Sequence, residues 1–460
     1  MMFSRVRKTI DLTLLLVLAF PAICASIDQI SNVDSISTDK KPGSSSLSNL
    51  RGIEREEKYA DEFWRKPVNV LLFFPRNTTG GFLYFTGRGA YHATNPELIA
   101  KIEKFLYFYD RRLGWHPLLM LDSDLLPEAG AKGFYRSKRF SSSLRGTYTN
   151  SEKWKGNSEF QWLNNSGIIH WDAVLSAQIS KRDRKFYGIG KNPLSDPRSN
   201  FDPNTVEEMG IFVQRRERIQ FKIRIHNNRL WEYLLKSYFQ NRELLNSELD
   251  GLPFDNIFDS NTLPGGKLYQ SRETYYSEIA LRLNKMNLKL LQSSWINLEF
   301  YSGYLGSVEN DGELLRAGTE FSISTPVLKQ NRIVTTHMAL NIIENLNDKI
   351  PVPFTEYPLH PCFRGVSEHS ILRTDNISLV PTVEYNWKLT HNIGGFLFTD
   401  FLLVSETINN LSVENAPWAA GIGIQLSSQG HVFLAYGSEG IRASLSIGAD
   451  FGKNDRLEWD

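Results

Sequence analysis

One arginine and two carboxylates in the C-terminal third have the types and spacing to do chemistry. Arg364 lies in Phe363-Arg364-Gly365-Val366, straight after a stretch from Pro351 to Phe363 that carries four prolines. Glu384 lies further on, in a segment that alternates apolar and polar residues, and Asp400 lies in Phe398-Thr399-Asp400 of the strand expected next. A guanidinium taken out of water needs a carboxylate, and its planar fork suits one bidentately. Phe398 and Asp400 are two apart, so an extended chain turns both to one face. Asp400 is not compatible with lipid, so that face should be a polar interior. The expectation is an Arg364–Asp400 contact, with Glu384 as a second carboxylate. The bland alternative is a solvated loop arginine.

Catalytic signals are thin. The nine histidines are scattered, and His337, His369 and His391 stand at no metal-ligand spacing. No Gly-x-Ser-x-Gly elbow is present, and Gly188-Ile189-Gly190 precedes no expected helix, so it is not a dinucleotide fingerprint. The expectation is a protein that is not an enzyme, with no cofactor, metal or catalytic residue. A net charge of +1 argues against nucleic acid as a partner.

The elements that must position Arg364 are read from periodicity. Ile169, Trp171, Ala173, Leu175, Ala177 and Ile179 alternate with polar residues, as do Ile219, Phe221, Ile223 and Ile225. Ile279, Leu281 and Leu283 do the same, then Ile377, Leu379, Val383, Tyr385, Trp387 and Leu389. Ala420, Ile422 and Ile424, and finally Leu445, Ile447, Ala449 and Phe451, complete the series. A period of two marks a sheet with one apolar and one polar face. Several runs reach the roughly 9–11 residues of a tilted membrane strand, where sandwich strands typically have about 5–6. The fold class expected is all-β, a transmembrane antiparallel β-barrel with a short N-terminal helical periplasmic segment. The barrel should occupy residues 117–452, followed by a C-terminal tail at 453–460. Leu230, Leu234, Tyr238, Leu244, Leu245 and Leu249 break the alternation, and their spacing predicts a helical loop insertion over Leu230–Leu249.

The N-terminus supplies an address. Arg5, Arg7 and Lys8 precede an apolar run from Leu14 to Phe20, with small residues at Ala22, Ala25 and Ser26, the layout of a secretory signal peptide over 1–25. A disordered leader is expected over 26–66, and a periplasmic segment with one helix over 67–116. That helix would start at Thr94 or Asn95, place Leu98, Ile102, Phe105 and Tyr109 on one stripe, and stop at Gly114. Cys24 and Cys362 are the two cysteines, and one falls in the signal, so no internal disulfide is expected. A composition of 41% hydrophobic, 22% charged and 12% aromatic residues fits a barrel and a secreted globular protein equally. Phe451 ends the last clean alternation, yet nine residues follow it.

Taken in order, these motifs resemble the BamA/TamA outer-membrane family, the bacterial surface-antigen type. Family members carry an Arg-Gly-aromatic loop folded into the lumen and a Phe-x-Asp-x-Gly strand motif whose aspartate meets that arginine. Phe363-Arg364-Gly365 and Phe398-Thr399-Asp400 match those motifs. Phe186 to Asn192, Trp418 to Gly423, and Ala435-Tyr436-Gly437 resemble further strand motifs, so the likeness runs from about Trp115 to Phe451. Val366 stands where the family has an aromatic residue, and Leu402 where it has glycine. The resemblance implies about 16 strands, although 12 or 14 also fit the length. It also implies a barrel-only member lacking periplasmic repeat domains, located in the bacterial outer membrane among its lipid. The role implied is insertion or translocation of protein or lipid, with a client polypeptide or lipid as partner. A passive or substrate-specific pore, or a surface antigen or adhesin, are the alternative readings. Oligomeric state is not legible.

Overall fold

The computed structural model describes residues 106–447, apart from 109–111, 123–124, 151–152, 165–169, 203–208, 228–229, 248–252, 289–293, 309–311, 328, 348–350, 359–362, 367–369, 372, 389–392 and 427–429. The expected signal peptide, leader, most of the N-terminal helix, Cys362 and the C-terminal tail lie outside the described residues.

Sixteen long strands follow one another along the chain. They are β1 (Leu113–Asp122), β2 (Leu125–Arg136), β3 (Phe140–Asn150), β4 (Lys153–Asn164), β5 (His170–Phe186), β6 (Gly210–Asn227), β7 (Trp231–Asn246) and β8 (Ser271–Leu288). The second half comprises β9 (Ser294–Ser307), β10 (Glu313–Val327), β11 (Lys329–Asn345), β12 (Ile377–Lys388), β13 (Ile393–Phe401), β14 (Trp418–Leu426), β15 (Gly430–Gly437) and β16 (Gly440–Ile447). Each pairs antiparallel with the next, and β16 returns to β1 through Ser444↔Asp122 to Ile447↔Leu119, so the sheet closes into a barrel. Closure leaves no unpaired edge, which a lipid environment requires.

The two faces differ as the alternation predicts. Ile219 is 60% exposed and Ile279 68% exposed, on the outside of β6 and β8, while Arg216, Arg218 and Glu278 are buried on the inside. Outward aromatics gather at both ends of the wall. Tyr135, Trp162, Trp171 and Tyr233 lie at one end, and Tyr148, Trp154, Tyr275, Trp418 and Tyr436 at the other. An aliphatic band between two aromatic belts is the surface of a membrane barrel, since amphipathic rings favour the headgroup level. Connections are also unequal. Where β1 begins and β16 finishes, the turns are short, at 137–139, 165–169, 228–230, 289–293, 328, 389–392 and 427–429. The opposite end carries the long loops 187–209, 247–270, 346–376 and 406–417.

Two expectations are corrected. Residues 231–246 are strand β7, not a helical insertion. Leu234, Tyr238 and Leu244 point inward with Glu232, Lys236, Gln240 and Arg242, while Tyr233, Leu235 and Phe239 point outward. With apolar residues on both faces, the inward ones fall four or more apart and mimic a helical stripe. The barrel also begins at Leu113, earlier than 117. Tyr107–Phe108 is extended and pairs with Gly114 and Leu113, so Gly114 lies in a strand rather than ending a helix. A Cβ there would meet the Phe134 ring at 2.6 Å and the Leu106 carbonyl oxygen at 2.7 Å, which is why the position takes glycine.

Candidate functional site: a loop inserted into the lumen

Loop 346–376 connects the eleventh and twelfth strands, and its described parts turn into the bore. Its first anchor is apolar. Phe354, in a single 3-10 turn over Phe354–Glu356, is fully buried against Phe186 and Phe212 of the wall and Phe254 of loop 247–270. Ring centroids in this group lie 4.5–5.5 Å apart, the range of favourable offset and edge contacts. Phe258 and Phe201 extend the cluster into loop 187–209. Three of the long loops therefore share one hydrophobic plug at that end of the barrel.

Glu356 follows Phe354 and is also fully buried. Its carboxylate accepts from Arg242 Nη1 of β7 at 2.6 Å and from Arg316 Nη2 of β10 at 2.9 Å. Burial pushes this carboxyl up, but Arg242 and Arg316, followed by Arg272 and Arg218, outweigh it and hold the group below the ordinary carboxylate range.

Arg364 comes eight residues later. Its backbone N–H donates to Asp400 Oδ2 at 3.0 Å, its Nε donates to the same oxygen at 2.9 Å, and its Nη2 donates to Asp400 Oδ1 at 2.8 Å. Nη1 donates to Glu384 Oε2, whose other oxygen accepts from Asn386 Nδ2 at 2.9 Å. The guanidinium carbon stands 3.6 Å from the Phe398 ring centroid, a cation–π contact. The strands make this possible by parity. Phe396, Phe398 and Asp400 of β13 all face inward, and Glu384 of β12 is registered directly against Phe398. Gly421 and Gly423 of β14 leave room for the Phe398 and Phe396 rings, which come within 2.6 and 2.2 Å of where a Cβ would be.

The sequence-predicted residues Phe363, Arg364, Gly365, Glu384, Phe398 and Asp400 thus meet in one place. Phe363 is buried with Val366, Val380, Leu402, Val404 and Ala419. Val366 and Leu402, the two departures from the family pattern, share that cluster. Three participants have no expectation behind them. Arg442 of β16 donates to the carbonyl oxygens of Arg364 and Val366, fastening the loop to the last strand. Its signal was inward parity with Ser444. Asn386 and Glu356 are the other two. Glu356 was hidden in the proline-rich stretch, where no periodicity marks which side chains turn inward. Among the described residues no group of three or more His, Cys, Asp or Glu is placed to hold a metal.

No protein-family model matches the chain, and no curated protein sequence does. Among solved structures it is similar to BamA from Haemophilus ducreyi lacking POTRA domains 1-3, at 12% identity and TM-score 0.48, covering 73% of this chain and 70% of that one. It is also similar to CdiB from Acinetobacter baumannii and CdiB from Escherichia coli, each at 10% identity and TM-score 0.44 over 72% of this chain. It spans 59% and 62% of those two chains, less than two thirds of either.

Proposed function

We propose that this chain is an outer-membrane barrel of the BamA/TamA type, exported by its N-terminal signal, that inserts or translocates protein or lipid. The observation that carries the reading is Arg364. A loop between the eleventh and twelfth strands enters the lumen and is clasped there by Asp400 and Glu384, as the resemblance implies. One further feature supports it. The plug of Phe186, Phe212, Phe254, Phe258 and Phe354 also closes one end, which suits a gated device better than a permanently open pore.

Depletion in the native host, followed by an inventory of outer-membrane proteins and lipids, tests the reading. Loss of particular proteins or lipids from the outer membrane is the expected result. An unchanged inventory, with reduced uptake of a small solute, would favour the substrate-specific pore instead.

A further inference from the structure

A second constellation lies on the wall opposite the Arg364 clasp, and of its members Arg242 takes part in holding the loop. Strand registers bring six inward side chains into one row around the barrel: Thr147 (β3), Lys155 (β4), Ser180 (β5), Arg216 (β6), Arg242 (β7) and Arg272 (β8). Each is directly opposite the next. Like charges directly opposite in a sheet are destabilising, and Arg216, Arg242 and Arg272 are three in succession. An anion seated against such a row relieves that repulsion. At the β7 end something does, because Glu356 reaches Arg242 from the plug.

At the β4–β6 end nothing comparable is present among the described residues. Lys155 makes no hydrogen bond or ion pair among the described residues, and its charged neighbours are Arg182, Arg145 and Arg216, with Glu128 the one carboxylate. Glu128 is already engaged by Arg182. Arg216 is 8% exposed, and its single side-chain hydrogen bond among the described residues goes to a neutral acceptor, Gln178 Oε1 at 3.2 Å. Its other charged neighbours, Arg218, Arg184 and Arg242, are all cations. Between Lys155 and Arg216 lies Ser180, whose hydroxyl has no partner among the described residues. Neighbouring strands are about 4.8 Å apart, so Lys155 and Arg216 flank Ser180 across roughly 10 Å. A tetrahedral oxyanion spans that gap with charge-assisted hydrogen bonds of about 2.8 Å to both cations and accepts a third from the hydroxyl.

We propose that Lys155, Ser180 and Arg216 form an oxyanion site of phosphate type on the inner wall, completing the neutralisation that Glu356 begins at the other end of the row. The site faces the lumen, so its ligand is a water-borne phosphate rather than a lipid headgroup.

Titration of inorganic phosphate into the detergent-solubilised full chain, followed by calorimetry in chloride-free buffer, tests this. The expected result is saturable binding that weakens at least tenfold in Lys155→Gln/Arg216→Gln and is unchanged in Lys388→Gln, a cation exposed at the far end of β12. If the double variant does not fold, Lys155→Gln alone keeps the test, because its side chain holds no bond among the described residues. Absence of saturable phosphate binding by the wild type would overturn the proposal. Equal binding by the variants would do so too, as would binding of phosphatidylglycerol nanodiscs without binding of free phosphate.

Discussion

The same loop is held at two points by clasps of opposite sign. At Glu356 the loop offers an acid to a basic wall, Arg242 of β7 and Arg316 of β10. At Arg364 it offers a base to an acidic wall, Asp400 of β13 and Glu384 of β12. The difference lies in who is paired. Asp400 spends both oxygens on Arg364, and Phe398 covers the guanidinium, so that clasp is locally complete. Glu356 is one carboxylate shared between two arginines. The first arrangement gives one arginine two carboxylates, while the second gives one carboxylate two arginines.

Breaking the clasps should rank accordingly. Asp400→Asn leaves Arg364 buried beside a neutral amide, and removing one partner of a buried pair costs about 3–5 kcal/mol. It should produce the largest fall in the unfolding midpoint measured in detergent. Glu356→Gln removes the charge from two hydrogen bonds to arginine and should cost about 2–3 kcal/mol. This variant also carries a pH signature. Because folding depresses the Glu356 carboxyl, its contribution is full above the unfolded value near ~4.3 and is lost as pH falls through the folded value. Acid titration of stability should therefore converge for wild type and Glu356→Gln below that window, having differed above it. Gly365→Ala places a Cβ 2.6 Å from the Phe363 ring and 3.2 Å from Ala419 Cβ, an overpacking cost of about 1–3 kcal/mol visible in the same melts. Glu384→Gln should have the smallest effect, under about 1 kcal/mol, because Glu384 is 27% exposed and water screens it. If Glu384→Gln proved worse than Asp400→Asn, the ranking of the two carboxylates would be reversed.

Much of this was legible in the sequence, for a definite reason. Strands β5, β6, β12 and β14 contact an apolar medium on one side and a polar bore on the other, so their alternation is clean. Asp400 and Glu384 could be named because parity assigns inward faces once a strand is recognised, and Arg364 because Phe363-Arg364-Gly365 resembles the family's lumen-loop motif. Legibility failed where the interior is itself apolar. Leu234, Tyr238 and Leu244 line the part of the lumen filled by the plug, and both faces of β7 then look hydrophobic. Glu356 was invisible for the complementary reason, since a proline-rich loop has no period from which to read an inside. The row from Lys155 to Arg272 needed registers across six strands, and no single strand carries that information.

The central claim is that the alternation belongs to a cylinder with lipid outside and a polar bore inside. Spin labels placed one at a time at positions 218 to 222 of β6, in the protein reconstituted in bilayers, test it most directly through accessibility to oxygen and to a water-soluble nickel complex. Labels at 219 and 221 should favour oxygen, and those at 218, 220 and 222 should not, in strict alternation. Labels at 219 and 221 that are shielded from oxygen, or that respond to the aqueous reagent, would contradict the account.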